Sequence, residues 1–147
     1  MSPEPSLENT LQPGLSAESR TLVNETNTAI QFGSGSLAVY ATPALVALME
    51  NAAVRALEGH LQSGYSTVGG QIDVRHLAAT PVGIEVRAQA DLVEVQGRKL
   101  TFRIQAWDAV ELIGEANHIR FLIEDESFMA KVKVKESQVY THKHKME

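Results

Sequence analysis

The chain has 147 residues, a formal net charge of -5 and no cysteine, and 44% of its residues are hydrophobic. This length suits one domain with a single core, the acidic balance argues against a general nucleic-acid binder, and the absence of thiols excludes disulfides and thiolate chemistry. No apolar run approaches the roughly 20 residues of a membrane span, and no signal-peptide pattern is present. We therefore expect a cytoplasmic protein that binds neither membranes nor nucleic acid.

The first forty residues contain one weak strand pattern between segments that lack periodicity. Residues 1–14 are rich in Pro, Ser and Glu, and we expect them to form a flexible tail. A short strand is predicted from Ser19 to Val23. The sequence "GSGS" at residues 33–36 follows Phe32 and predicts a loop that leads into a helix.

The stretch "ATPALVALMENAAVRALEGH", residues 41–60, predicts one helix that is apolar around most of its circumference. Thr42 suits the N-cap, Pro43 the first helical position and Gly59 the end of the helix. Glu50 lies in the middle, and every position within about 60° of it around the helix is apolar. Because carboxylates are rarely buried without a partner, Glu50 is exposed, paired with a distant cation, or part of a site.

The second half of the chain has the period of β-strands. "SGYSTVGGQ" is expected to be a loop after the helix, and alternation of apolar residues then predicts strands near 72–76, 84–92, 100–106 and 112–123, with a hairpin at Gly97. We predict an α+β fold at residues 15–135, with a long central helix wrapped by an antiparallel β-sheet. The basic segment from Lys131 is expected to be partly disordered, with a flexible tail at 136–147. Open sheet edges favour a dimer.

Five polar residues are candidates for chemistry, and each has an ordinary structural alternative. His76 lies on the inward face of its strand, as a core histidine or as a proton donor and acceptor. Thr42 is a plain helix cap or a hydroxyl beside a site, with Glu50 about two turns further along. His118 and Arg120 share one side of the last strand, where a solvated face is the ordinary interpretation. The five histidines show no metal-ligand spacing.

Three stretches taken together resemble the hotdog-fold thioesterases of the fluoroacetyl-CoA thioesterase type. They are "ATPALVALMENAAVRAL", "STVGGQIDVRHLAATPVG" and "VEVQGRKLTFRIQAWDAVELIGEANHIRFLI". The resemblance extends from about Leu22 to Lys135 and implies a hotdog fold, assembled as a homodimer or as a higher oligomer built from dimers. It implies an acyl-CoA substrate and neither a metal nor a redox cofactor.

The resemblance also implies roles for single residues. Thr42, Glu50 and His76 match the three catalytic positions of the family. Gly69 matches the position whose backbone N–H is associated with the thioester carbonyl. Arg120 matches a basic position near the site, and His118 lies close to it in the sequence.

The "GSGS" segment departs from the fluoroacetyl-specific branch. Gly and Ser replace aromatic residues that would crowd a small acyl pocket, which leaves Phe32 alone there. The resemblance therefore favours an acyl group other than fluoroacetyl.

The leading prediction is an acyl-CoA thioesterase for a small acyl group. Glu50, facing a cleft at the dimer interface, would attack the thioester carbon or activate water, and His76 would assist proton transfer. The alternatives are a hotdog hydratase or dehydratase of enoyl thioesters and a non-catalytic protein that binds acyl-CoA or another small ligand, because fold alone does not decide between them.

Overall fold

The computed structural model describes residues 11–146, so the first ten residues of the predicted N-terminal tail lie outside the described residues. Five strands and three helices follow along the chain: β1 (Ser16–Leu22), α1 (Ala29–Phe32), α2 (Thr42–Ala56), β2 (Tyr65–His76), β3 (Glu85–Gln96), β4 (Lys99–Trp107), β5 (Leu112–Glu124) and α3 (Asp125–Met146). The predicted α+β class, with a long central helix against an antiparallel sheet, is confirmed.

The five strands form one antiparallel sheet in the order β1-β3-β4-β5-β2, which leaves β1 and β2 at its edges. A tight turn at Gly97, with φ of 59°, joins β3 to β4 as the hairpin pattern predicts. Alternate residues of β4 point into the core, and Leu100, Phe102, Ile104 and Ala106 are buried. Strand alternation in the sequence therefore identifies the inner face of the sheet correctly.

Helix α2 lies across this inner face and packs mainly on β1 and β3. Leu45 and Met49 are fully buried beneath it. The approach to β5 is close at Gly114, where an added Cβ would lie 2.9 Å from Leu45 Cδ2. The opposite side of α2 is not covered, since Pro43, Ala47 and Val54 are exposed around the partly exposed Glu50. One sheet thus buries only half of a helix that is apolar nearly all round.

The predicted start of the central helix is wrong by one residue, and the helix ends before the predicted Gly59. The N-cap is Ala41, which makes no side-chain capping bond, and Thr42 is the first helical residue. The Thr42 hydroxyl is engaged by a side chain from the sheet and does not cap the helix. The helix ends at Ala56 because its last turn tightens there, and Gly59 follows in the left-handed conformation with φ of 81°.

The loop predicted at "SGYSTVGGQ" is wrong, because β2 begins at Tyr65. Its backbone pairs with β5 through a bulge between Gly69 and Gln71. Pairing along a strand depends on backbone groups and needs no alternation of apolar side chains. The sequence pattern therefore detects only the second half of β2.

The two segments expected to be tails also contain ordered structure. Leu11 is buried in the core, and the Gly14 N–H donates to the Leu92 carbonyl at 2.9 Å. The segment from Lys131, expected to be partly disordered, lies within helix α3. Acidic residues in the first turn of α3 and lysines further along it suit the helix dipole. The domain limits 1–14, 15–135 and 136–147 stay predictions. Within residues 11–146, no helix is long and apolar enough to cross a membrane.

Candidate active site

Thr42 and His76 form a polar pair at the N-terminal end of α2. The first turn of the helix holds Thr42, and the last residue of β2 is His76. The Thr42 Oγ1 lies 2.8 Å from His76 Nδ1. The other ring nitrogen, Nε2, is buried and has no hydrogen-bond partner within the described chain. Burial lowers the pKa of His76 below its usual value, opposed by a hydrogen bond with the Ala78 backbone. The ring is therefore mostly neutral near neutral pH.

Glu50 has its ionic partner on the sheet and not on its own helix. Its Oε2 lies 3.5 Å from Nη1 of Arg120. The Glu50 side chain is 41% exposed, whereas that of Arg120 is only 8% exposed. The distant-cation interpretation of Glu50 thus matches the structure, and the carboxylate is still open on one side. A buried cation behind an accessible carboxylate holds the carboxylate in place.

Arg120 is fixed by three further hydrogen bonds. Its Nε donates to Thr67 Oγ1 at 2.9 Å and its Nη2 to the Thr67 carbonyl at 3.0 Å. Its Nη1 also lies 3.1 Å from His118 Nε2. Because the guanidinium can only donate, His118 Nε2 is the acceptor. The guanidinium therefore has little freedom to rotate away from Glu50.

The protonation state of His118 follows from its two partners. His118 Nδ1 lies 2.8 Å from the carbonyl of Gln71, which can only accept, so the ring proton is on Nδ1. Burial lowers the pKa of His118, and the positive charge of Arg120 lowers it further, while the bond to Gln71 and the charge of Glu50 oppose them. His118 and Arg120 are both buried, so the solvated face that the sequence suggested for them is wrong.

Gly69 lets the backbone of β2 come close to this charged group. A Cβ at Gly69 would lie 3.0 Å from Glu50 Oε2 and 3.4 Å from Arg120 Nη1. The bulge that follows Gly69 interrupts the regular pairing of β2 with β5. A side chain here would displace the carboxylate, so this position favours glycine for contact reasons and not for its backbone angles.

Glu50, Arg120 and His118 form a second polar cluster, the Glu50 group. Within one chain, it is separate from the Thr42–His76 pair. Thr42 and Glu50 are eight residues apart on one helix, about 12 Å along its axis. A cavity of about 290 Å³ lies beside Thr42 and His76. Phe32, the residue expected in the acyl pocket, is exposed and does not line this cavity.

Two residues of this arrangement were missed at the level of sequence. Thr67 and Gln71 hold Arg120 and His118, and both lie in the segment that the sequence assigned to a loop. Two of the three bonds they provide use backbone carbonyls, which leave no trace in the residue type. The sequence offered one indication, that Thr67 is two residues from Gly69 and would lie on the same face of a strand. Among the described residues, no group of three or more histidines and carboxylates could hold a metal ion.

Sequence comparison gives this arrangement a family context. Residues 23–126 match the model of a family described as fluoroacetyl-CoA-specific thioesterase, FlK. The chain is also 45% identical over 97 residues to the fluoroacetyl-CoA thioesterase of Streptantibioticus cattleyicolor, an alignment that covers 66% of this chain and 70% of the relative.

Solved structures have the same fold. A variant of the fluoroacetyl-CoA thioesterase in complex with acetyl-CoA is similar with a TM-score of 0.80 at 36% identity, covering 85% of this chain and 98% of that one. A Thermus thermophilus hypothetical protein of the thioesterase superfamily is similar with a TM-score of 0.83 at 23% identity, covering 88% and 96%. The second likeness shows the fold alone, and together they confirm the predicted hotdog fold.

Proposed function

Because the chain belongs to the fluoroacetyl-CoA-specific thioesterase family, we propose that it hydrolyses an acyl-CoA to the free acid and CoA, with Glu50 as the central catalytic group. The observation that carries this proposal is the position of the Glu50 carboxylate. The carboxylate is partly exposed, it lies close to the backbone of β2 at Gly69, and it forms an ion pair with the buried Arg120. Such a carboxylate is oriented and accessible to a reactant.

Thioester hydrolysis needs a nucleophile for the carbonyl carbon and donors for the oxygen that becomes negative. Glu50 supplies the first, by attacking the carbon to form an anhydride with loss of CoA thiolate, or by taking a proton from the attacking water. Backbone N–H groups near Gly69 supply the second. Either route adds one water in total and yields a carboxylic acid and the CoA thiol.

The departing thiolate needs a proton, which we assign to His76. The neutral imidazole that the lowered pKa of His76 favours can accept a proton from the water that is consumed, and the imidazolium formed in this way can give that proton to the thiolate. Thr42 orients this ring through its hydroxyl. Arg120 and His118 keep Glu50 in place, and no step of this reaction uses a metal or a redox cofactor.

We further propose that the active unit is a homodimer, in which a second copy completes the site. The uncovered side of α2 carries Glu50 among the exposed Pro43, Ala47 and Val54, and the edge of β2 is unpaired within one chain. Two polar groups about 12 Å apart on one helix cannot both touch one thioester carbon. A second copy packed on this side would supply the missing half. A cytoplasmic location, as the sequence predicts, belongs to the same proposal.

Glu50→Gln tests the central assignment. The amide keeps the shape of the side chain but can neither attack nor remove a proton, so we expect turnover to fall about 10²-fold or more. Thiol release from an acyl-CoA panel measures it, and circular dichroism checks that the variant is folded. Glu58→Gln, at an exposed position just beyond the same helix, is the matched control and should keep its activity. Near-wild-type turnover of folded Glu50→Gln would reject the assignment.

A further inference from the structure

The cavity beside Thr42 and His76 has walls formed by two segments, residues 29–42 and residues 76–81. These wall segments are hydrogen-bonded to each other. The Tyr40 N–H donates to the Thr80 carbonyl at 2.8 Å, and Val39 and Pro81 form an isolated β-bridge. The Ala29 N–H closes the first segment on itself by donating to the Val39 carbonyl at 2.8 Å. The cavity is therefore a fixed part of the fold, formed by backbone contacts.

The lining of this cavity is mostly aliphatic. Apart from Thr42 and His76, it consists of Ala29, Ser34, Val39, Tyr40, Leu77, Ala78 and Ala79. The Tyr40 hydroxyl donates to the Ala44 carbonyl at 3.1 Å, so it is already paired. None of these described lining residues is Asp, Glu, Lys or Arg. Such walls favour an uncharged alkyl group and provide no counter-charge for a carboxylate or a phosphate.

The cavity is larger than a two-carbon acyl group requires. Its volume is about 290 Å³. If each non-hydrogen atom takes roughly the 30 Å³ of a water molecule, the four such atoms of an acetyl thioester group fill about 120 Å³. The remainder has room for roughly five further carbon atoms.

Several large apolar side chains in and next to the wall segments are exposed. Five of them are between 46% and 67% exposed: Ile30, Phe32, Leu37, Leu77 and Val82. All lie in or next to the two wall segments. Exposed apolar surface of this kind, next to a cavity, marks a binding site for an apolar ligand.

We propose that this cavity is the acyl site and that the natural substrates are CoA thioesters of uncharged aliphatic acids of about four to seven carbon atoms. The proposal rests on the proposed thioesterase function and names the substrate class of that site. The thioester end lies at Thr42 and His76, the alkyl chain follows the wall of Val39 and Leu77, and Phe32 and its neighbours contact the distal end of longer chains.

A chain-length series tests this directly. We expect kcat/KM for acetyl-, butyryl-, hexanoyl- and octanoyl-CoA to rise by about fourfold per buried methylene up to hexanoyl, or about 10²-fold from acetyl to hexanoyl. Succinyl-CoA, which has the length of butyryl-CoA and a carboxylate, should be the poorer substrate of the two. Thiol release measures all five compounds with the unmodified protein.

A variant that fills the cavity gives an independent arm. Ser34 lines the cavity from an exposed loop, so the factor by which Ser34→Phe lowers kcat/KM should be at least about tenfold larger for hexanoyl-CoA than for acetyl-CoA. Ala38→Phe adds the same ring to an exposed position of the same loop that does not line the cavity, and it should keep the wild-type profile.

The possible outcomes separate this inference from the proposed function. If acetyl-CoA is the best substrate, or if Ser34→Phe and Ala38→Phe behave alike, the acyl-site assignment is overturned while thioester hydrolysis stands. If no acyl-CoA is hydrolysed, the proposed function fails, and thermal shifts with acetate and hexanoate then decide the inference. A rise in Tm with hexanoate that Ser34→Phe abolishes supports an alkyl site, and equal or absent shifts overturn it.

Discussion

Arg120 organises the candidate site because Glu50 and His118 both depend on its position. Burial lowers the pKa of Arg120, and the charge of Glu50 opposes this shift, so the ion pair offsets part of the cost of placing a cation inside the protein. Thr67 contributes two acceptors to the guanidinium, which fixes the plane in which it meets the carboxylate. The orientation of the Glu50 carboxylate thus depends on Arg120 and, through Arg120, on Thr67.

His76→Ala should lower turnover far more than stability. The side chain is half-buried and forms hydrogen bonds with Thr42 and with the Ala78 backbone, so truncation should cost about 1 kcal/mol of unfolding free energy for each partner left unpaired. Loss of the proton carrier should lower turnover by about 10²-fold or more. Melting temperature and thiol release measured on one sample compare the two effects. A large fall in melting temperature with full activity of the folded fraction would show that His76 is structural.

At the scale of elements, the close contact between α2 and β5 depends on a glycine. Gly114 faces the helix, and an added Cβ would lie 2.9 Å from Leu45 Cδ2 and 3.3 Å from Met49 Cε. The added Cβ would also lie 3.2 Å from the Arg75 carbonyl oxygen. This carbonyl belongs to the paired backbone of β2 and cannot move freely. A single methyl group would therefore have to displace the ends of the Leu45 and Met49 side chains where the helix packs against β5.

Gly114→Ala should consequently destabilise the fold by about 1–3 kcal/mol, as overpacking of a dense core does. Urea denaturation would measure the loss. Leu45→Val shortens the side chain that the new methyl group meets, so the double variant should be more stable than the sum of the two single effects predicts. Strict additivity of the two substitutions would contradict the proposed contact.

For the whole molecule, the uncovered side of α2 and the open edge of β2 predict a dimer in solution. A helix apolar on both sides exposes its second side to water unless another chain covers it. Light scattering after size-exclusion chromatography should report twice the monomer mass of 16.0 kDa at micromolar concentration. A monomer under these conditions would remove the interface model, although the Glu50 group would still stand within one chain.

Stability of the whole molecule should fall on mild acidification. Burial lowers the pKa of both His76 and His118 in the folded chain, so the unfolded chain binds protons more readily below about pH 6.5. Stability is therefore complete above the unfolded pKa and decreases as the pH falls below it. The pKa values of Glu18 and Asp108 are also lowered in the folded chain, and they affect stability only at the more acidic pH where carboxyl groups titrate.

Urea denaturation at about pH 7.5 and about pH 5.5 would measure this dependence, with a lower unfolding free energy expected at the second pH. His76→Ala removes one of the two groups and should show a smaller difference. Equal stability at both values in the unmodified protein would mean that the two imidazoles do not titrate as their burial implies.

The sequence by itself determined the fold class, the central helix, the hairpin at Gly97 and the inner face of the sheet, because periods of 3.6 and 2 record which side of an element is buried. It also marked Glu50 as anomalous, since a carboxylate among apolar neighbours needs a partner. Only the tertiary structure decided which partner that is. Arg120 lies on another element, so its pairing depends on how the helix packs on the sheet.

Tertiary structure likewise decided three further features. They are the burial of His118 and Arg120, the first half of β2 and the contacts of Thr67 with Arg120. The backbone carbonyls of Thr67 and Gln71 and the pairing of β2 with β5 hold part of this arrangement, and neither depends on residue type. The prediction of Thr42 as a helix cap fails for a related reason. A hydroxyl at a helix start suits a free backbone N–H equally well in any sequence, and only the packing of β2 on the helix brings His76 within 2.8 Å of it.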